Sequence, residues 1–131
     1  MGCLIPTYKA RGLLLVRAAR WHDLAVRNSV VVYTVRTEFD DDATRERFLT
    51  FLRDGHCLAV VRQGGALSAE VTAYADGVVE ARYLFGSQAD FDAYEAGPAV
   101  HLRADTAREF PPDSGVRVTR LMGIRAARVP D

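Results

Sequence analysis

The tightest constraint on this chain is a parity problem around Asp76-Gly77, which sits between two stretches that alternate apolar and polar residues. Alternation with a period of two marks strands, because successive side chains point to opposite faces of a sheet. A two-residue Asp76-Gly77 turn would set Val71 opposite Arg82 and mix each face. A three-residue loop, Ala75-Asp76-Gly77, pairs Tyr74 with Val78 and gives Gly77 the left-handed conformation it tolerates. In that register Leu67, Ala69, Val71 and Ala73 join Val79, Ala81, Tyr83 and Phe85 on one apolar face. Glu70, Thr72 and Tyr74 join Glu80 and Arg82 on the other. A slip of one residue scrambles both faces, so the pattern selects the longer loop.

The flanking elements complete the plan. Residues 30–39 are rich in β-branched and aromatic side chains and read as a first strand, with Val31, Tyr33 and Val35 on one side and Thr34 and Arg36 on the other. Asp40-Asp41-Asp42 then supplies an N-cap and an acidic first turn. The helix that follows, over residues 43–54, buries Phe48, Phe51 and Leu52 and stops at Gly55. Ser87-Gln88-Ala89-Asp90 opens a second helix as a capping box, with Asp in place of Glu or Gln, and Phe91 and Tyr94 face the core. Gly97-Pro98 interrupts that helix, and Pro98 restarts it as a first-turn residue as far as about Glu109. Pro111-Pro112 forbids continuation, and Asp113-Ser114-Gly115 turns the chain into a last strand over residues 116–129. The order β-α-β-β-α-β is the ferredoxin-like α+β plan, one antiparallel sheet carrying both helices on one face. The other face is bare and needs a cover.

A chain of 131 residues has room for one domain, and 49% apolar with 26% charged residues is ordinary for a globular one. Seventeen basic and seventeen acidic residues cancel, which removes any bulk attraction to nucleic acid or an anionic membrane. Residues 1–29 hold five basic residues against Asp23 alone, and read as an extension, flexible or shortly helical, ahead of a domain over 30–129. Leu13-Leu14-Leu15-Val16 is far short of the ~20 apolar residues of a membrane span. Cys3 and Cys57 lie too far apart to suggest a disulfide framework or a zinc site, so a reducing cytoplasm is the expected compartment. No histidine pair has metal spacing and no glycine-rich loop follows a strand, so neither a metal nor a cofactor is expected.

Several landmarks together resemble a family: Val31-Val32-Tyr33-Thr34-Val35, the Phe48…Leu52…His56 helix exit, the Phe91…Tyr94 helix, His101-Leu102-Arg103-Ala104-Asp105 ending in Phe110, and Val118-Thr119-Arg120. They are similar to those of an uncharacterised bacterial domain-of-unknown-function family with ferredoxin-like topology, within the dimeric α/β-barrel superfamily. The likeness covers about residues 30–128 and departs after His56, where Cys57-Leu58-Ala59 stands in place of a proline and an acidic residue. It implies a homodimer whose two sheets pack face to face. Related barrels include cofactor-independent oxygenases, isomerases, haem-degrading oxygenases and stress-response proteins, and fold alone does not choose among them.

His56 is the strongest chemical candidate, an imidazole able to take a proton near neutral pH, although a histidine there also suits a helix C-terminus. Arg36 or Arg82 is the expected anion stabiliser. Tyr33, Glu70, Thr72, Glu80 and Tyr83 are the expected ligand contacts, with intersheet ion pairs and aromatic packing as the plain alternative. His101, Arg103 and Asp105 read as a solvated helical face, and Cys57 as a buried small hydrophobe. The expected function is small-molecule binding by a homodimer, with cofactor-independent oxygenase or isomerase chemistry on a small aromatic or apolar substrate. The competing expectation is a non-enzymatic dimerisation or regulatory module.

Overall fold

In the computed structural model, which describes residues 29–130, the chain runs β1 (Val31–Phe39), α1 (Asp42–Phe51), a π-helical turn (Leu52–His56) and α2 (Cys57–Arg62). It continues through β2 (Ser68–Ala73), β3 (Val79–Phe85), α3 (Gln88–Ala96), α4 (Pro98–Glu109) and β4 (Val116–Ile124). The strands form one antiparallel sheet in the order β2-β3-β1-β4. This is the ferredoxin-like arrangement. The reading of the N-terminal extension falls outside the described residues, save for its last position.

The hairpin takes the three-residue loop. Val71 pairs with Ala81 and Ala73 with Val79, and the Tyr74 amide donates to the Val78 carbonyl at 2.8 Å. Gly77 adopts φ 93°, a conformation that costs a side-chain-bearing residue roughly 1 kcal/mol or more. Both helix starts are capped as their sequences suggest. The Asp41 carboxylate accepts from the Thr44 amide at 2.7 Å, and Ser87 Oγ accepts from the Asp90 amide at 3.1 Å. The amide and hydroxyl of Thr44 hold the Asp41 carboxyl below its ordinary pKa.

Two boundaries differ from expectation. The first helix does not stop at Gly55, whose φ of 178° is extended rather than left-handed and so makes no C-cap. The backbone widens into a π turn there and carries on through the apolar stretch Cys57-Leu58-Ala59-Val60. The stop comes ten residues later at Gly65, with φ 84°. There the Gly65 amide donates to the Val61 carbonyl at 3.2 Å, the single bond of an αL cap, and the Ala66 amide reaches back to Val60 at 3.4 Å. The last strand ends at Ile124 rather than Val129, because Ile124 lies opposite Val31 at the start of β1. One further bond, from the Arg125 amide to the Val30 carbonyl at 2.9 Å, exhausts the partner strand.

Alternation then sorts the sheet into two faces. Val31, Tyr33, Val79, Ala81, Tyr83 and Phe85 are buried beneath the helices. Phe91 and Tyr94 of α3 meet Phe85 at ring separations of 5.3 and 5.1 Å, and Phe110 meets Phe48 of α1 edge-on at 5.1 Å. At the edge strand β2 the same face runs past the helices, which leaves Leu67 63% exposed. Val32, Thr34 and Arg36 of β1 and Glu80 and Arg82 of β3 point the other way, where no helix or strand of the described residues packs over them.

Candidate functional site

A cavity of ≈ 40 Å³ lies between the helix-side face of the sheet and the helices, lined among others by Tyr33, His56, Tyr83, Tyr94, Arg103 and Arg120. At roughly 10–15 Å³ per water it has room for about three or four waters, not an aromatic ligand, unless side chains move. These six side chains come from six elements. Tyr33 and Tyr83 project from neighbouring strands as register partners, and Arg120 comes from β4 opposite Val35. Tyr94 rises from α3, Arg103 from α4, and His56 from the end of the π turn.

The π turn is what aims His56. Leu52, His56 and Val60 follow at four-residue steps, and the outer two are buried in the core, so the imidazole lies on the inward stripe. It stacks on Phe51 at 4.9 Å with the rings 24° apart. Burial pushes its pKa below the ordinary 6.5, against a smaller upward pull from Asp105. His56 is therefore a neutral imidazole near pH 7, the state a general base requires.

Arg103 is the second polar group of the cavity. Its Nη2 donates to the Tyr33 hydroxyl at 2.9 Å and also to the Glu95 carboxylate. Its Nε is buried with no partner. Burial works against the charge, but the bonds to Tyr33 and Glu95 outweigh it and hold the guanidinium above its ordinary pKa. A cation so held, with one donor unused, suits an anionic atom in the cavity. The phenols beside it stay protonated. Burial drives Tyr94 up to about 12 and Tyr83 well above its ordinary value. Cys57 Sγ sits 3.5 Å from the Tyr83 hydroxyl, and burial pushes its thiol up as well, which leaves an unreactive side chain rather than a nucleophile.

The residues singled out in the sequence divide between the two faces. His56, Tyr33 and Tyr83 come together at the cavity. Arg36, Arg82, Glu70, Thr72 and Glu80 lie on the opposite, bare face, so a site uniting His56 with Arg36 or Arg82 is not what this fold builds. Strand alternation imposes that separation, because Arg36 is three positions from Tyr33 and Arg82 is next to Tyr83. Arg36 instead donates to Glu80 at 2.9 Å and covers the Tyr74 ring at 5.3 Å. The bare face holds an open trough of ≈ 800 Å³, lined by residues such as Val32, Thr34, Glu70, Arg82, Leu84 and Leu121. It lies away from His56. Arg103, expected on a solvated helical face, lines the cavity instead. The signal was present, for Ala99, Leu102, Arg103 and Thr106 recur at helical spacing and Ala99 and Leu102 are buried. His101 does sit on the surface, where Nε2 hydrogen-bonds Gln63 at 2.9 Å.

Among the described residues, no helix is long and apolar enough to cross a membrane. No family model matches the sequence, and no curated protein matches it. Solved structures do share its fold. SnoaB, a cofactor-independent oxygenase from Streptomyces nogalater, superposes with a TM-score of 0.58 at 16% identity, over 79% of this chain and 99% of that one. A dimeric ferredoxin-like protein from an uncultured marine organism gives 0.59 at 14% identity, over 77% and 99%. A monooxygenase of Streptomyces coelicolor, in complex with nanaomycin D, gives 0.56 at 20% identity, over 79% and 95%.

Proposed function

We propose that this chain is a homodimeric small-molecule-binding domain whose cavity between sheet and helices takes a small aromatic or apolar substrate carrying an acidic hydroxyl or carbon. The observation that carries the reading is the pairing, on one cavity, of a half-buried neutral imidazole with a half-buried guanidinium whose buried Nε has no partner. His56 removes the proton, the electron pair stays on the substrate, and the resulting anion is held by Arg103. The S–H or O–H groups of Cys57, Tyr83 and Tyr94 stay protonated and shape the pocket without competing for that role. Anion formation of this kind is a first step open to both cofactor-independent oxygenation and isomerisation. The structural likeness to a cofactor-independent oxygenase and a monooxygenase supports the first of these. The bare face, whose charges are only partly paired, is covered by a second copy.

One observation favours the alternative of a dimerisation or regulatory module. At ≈ 40 Å³ the cavity is smaller than an aromatic ring, so ligand entry requires side chains to yield. Thermal melts of the full chain against a panel of phenols and naphthols separate the two readings. Ligand-dependent stabilisation that disappears in His56→Ala and in Arg103→Met, with both variants folded, is the expected result. A wild-type dimer that no member of the panel stabilises refutes the enzymatic reading and leaves the module.

A further inference from the structure

The sheet registers place the bare face in rows that run across all four strands. The first row is Ser68, Leu84, Val32 and Gly123; the second is Glu70, Arg82, Thr34 and Leu121; the third is Thr72, Glu80, Arg36 and Thr119. The first row is apolar at its centre. In the third, Arg36 and Glu80 close on each other at 2.9 Å. The second row is different. Glu70 and Arg82 are direct register partners and both are exposed, yet neither belongs to any ion pair among the described residues. On the same row Leu121 is 54% exposed.

Resting on the sheet-face dimer proposed above, we infer that Glu70 of each protomer pairs with the partner's Arg82 across the two-fold axis, and that this reciprocal pair sets the docking register. Covering the face withdraws both charges from water, and an unpaired buried charge costs several kcal/mol. With the two side chains held apart as they are in this structure, the cover must offer an opposite charge to each. A surface of one sign satisfies one and repels the other, which argues against nucleic acid or an acidic partner. A second copy satisfies both at once, because in an isologous interface a contact of Glu70 with the partner's Arg82 entails the converse contact. The chain has no net charge, so two copies meet without bulk repulsion. Leu121 and the apolar first row border the pair and shield it from water.

Charge reversal tests this in the full chain, with dimer dissociation constants measured by sedimentation equilibrium. R82E and E70R each create two like-charge contacts per dimer and should weaken it roughly a hundredfold or more. Mixed one to one, R82E and E70R restore both contacts between chains, so a heterodimer close to wild-type affinity is expected. Mixing R82E with E38R, which carries the same charges at a position outside the row, should give none. Should the reversals impair folding, R82Q and E70Q, each of which removes both reciprocal pairs, should still weaken the dimer about tenfold or more. A wild-type dimer that neither reversal weakens, or two weakened variants that fail to rescue each other, overturns the reciprocal pair while leaving the dimer. A wild-type chain that stays monomeric overturns the sheet-face dimer itself.

Discussion

The bond between Arg103 and Tyr33 gives a prediction whose size follows from the structure. Tyr33→Phe keeps a ring that is nearly fully buried and packs 5.2 Å from Phe91 and 6.0 Å from both Tyr83 and Tyr94, and it removes only the hydroxyl. A hydrogen bond to a charged donor contributes about 1.5–3 kcal/mol when well buried. Arg103 is 35% exposed at its side chain and keeps Glu95, so solvent and the carboxylate absorb part of the loss. The expected destabilisation is about 1 kcal/mol. For a domain of this size that lowers Tm by roughly 4–8 °C. Arg103→Met keeps much of the side-chain stem while removing the charge, and it closes a double-mutant cycle with Tyr33→Phe. Urea unfolding of wild type, both single variants and the double should return a coupling of about 1 kcal/mol. Strict additivity, with a coupling below roughly 0.3 kcal/mol, would show that the two groups do not cooperate and would remove the basis for placing a held cation at the cavity.

Two further perturbations probe the surroundings of the same cavity. Burial lowers the His56 pKa from its ordinary 6.5, so the unfolded chain takes up that proton first. Stability is then fully present above about pH 6.5 and falls as the pH drops through the lowered value, and His56→Asn should flatten the slope of Tm between about pH 7 and 5; an unchanged slope refutes the buried neutral imidazole. At Gly64 an added Cβ would stand 2.5 Å from the Val60 carbonyl oxygen and 2.8 Å from the Tyr94 ring. Gly64→Ala should cost about 1 kcal/mol or more, because overpacking outweighs the usual gain in backbone entropy, and a thermal melt at or above the wild-type Tm contradicts it.

Where local chemistry decides the structure, the sequence was easy to read. The parity of the alternating stretches leaves one register around Asp76-Gly77, and the caps at Asp41 and Ser87 are set by side chains three residues from the amides they bind. Gly55 misled because glycine signals both helix ends and helix irregularities. Only the tertiary burial of Val60 decides that the helix continues to Gly65. The site was half legible. Strand alternation had already put Tyr33 and Arg36 on opposite faces, so a site containing both His56 and Arg36 required positions that alternation keeps apart. Arg103 was hidden by its neighbours His101 and Asp105, since a charged triplet looks solvated unless the stripe running from Ala99 to Thr106 is weighed against it. The widened turn that aims His56 is marked only by Gly55, which fits a helix end equally well.

The proposed ligand chemistry lies on the helix side of the sheet and the proposed self-association on the bare side, and a titration of the amide NMR spectrum with 1-naphthol tests that division most directly. Perturbations gathered at Tyr33, His56, Leu102 and Arg103, with Thr34, Arg36 and Arg82 unmoved, are the predicted outcome. Shifts concentrated on Thr34, Arg82 and Leu121 would place the ligand in the trough between protomers and contradict it.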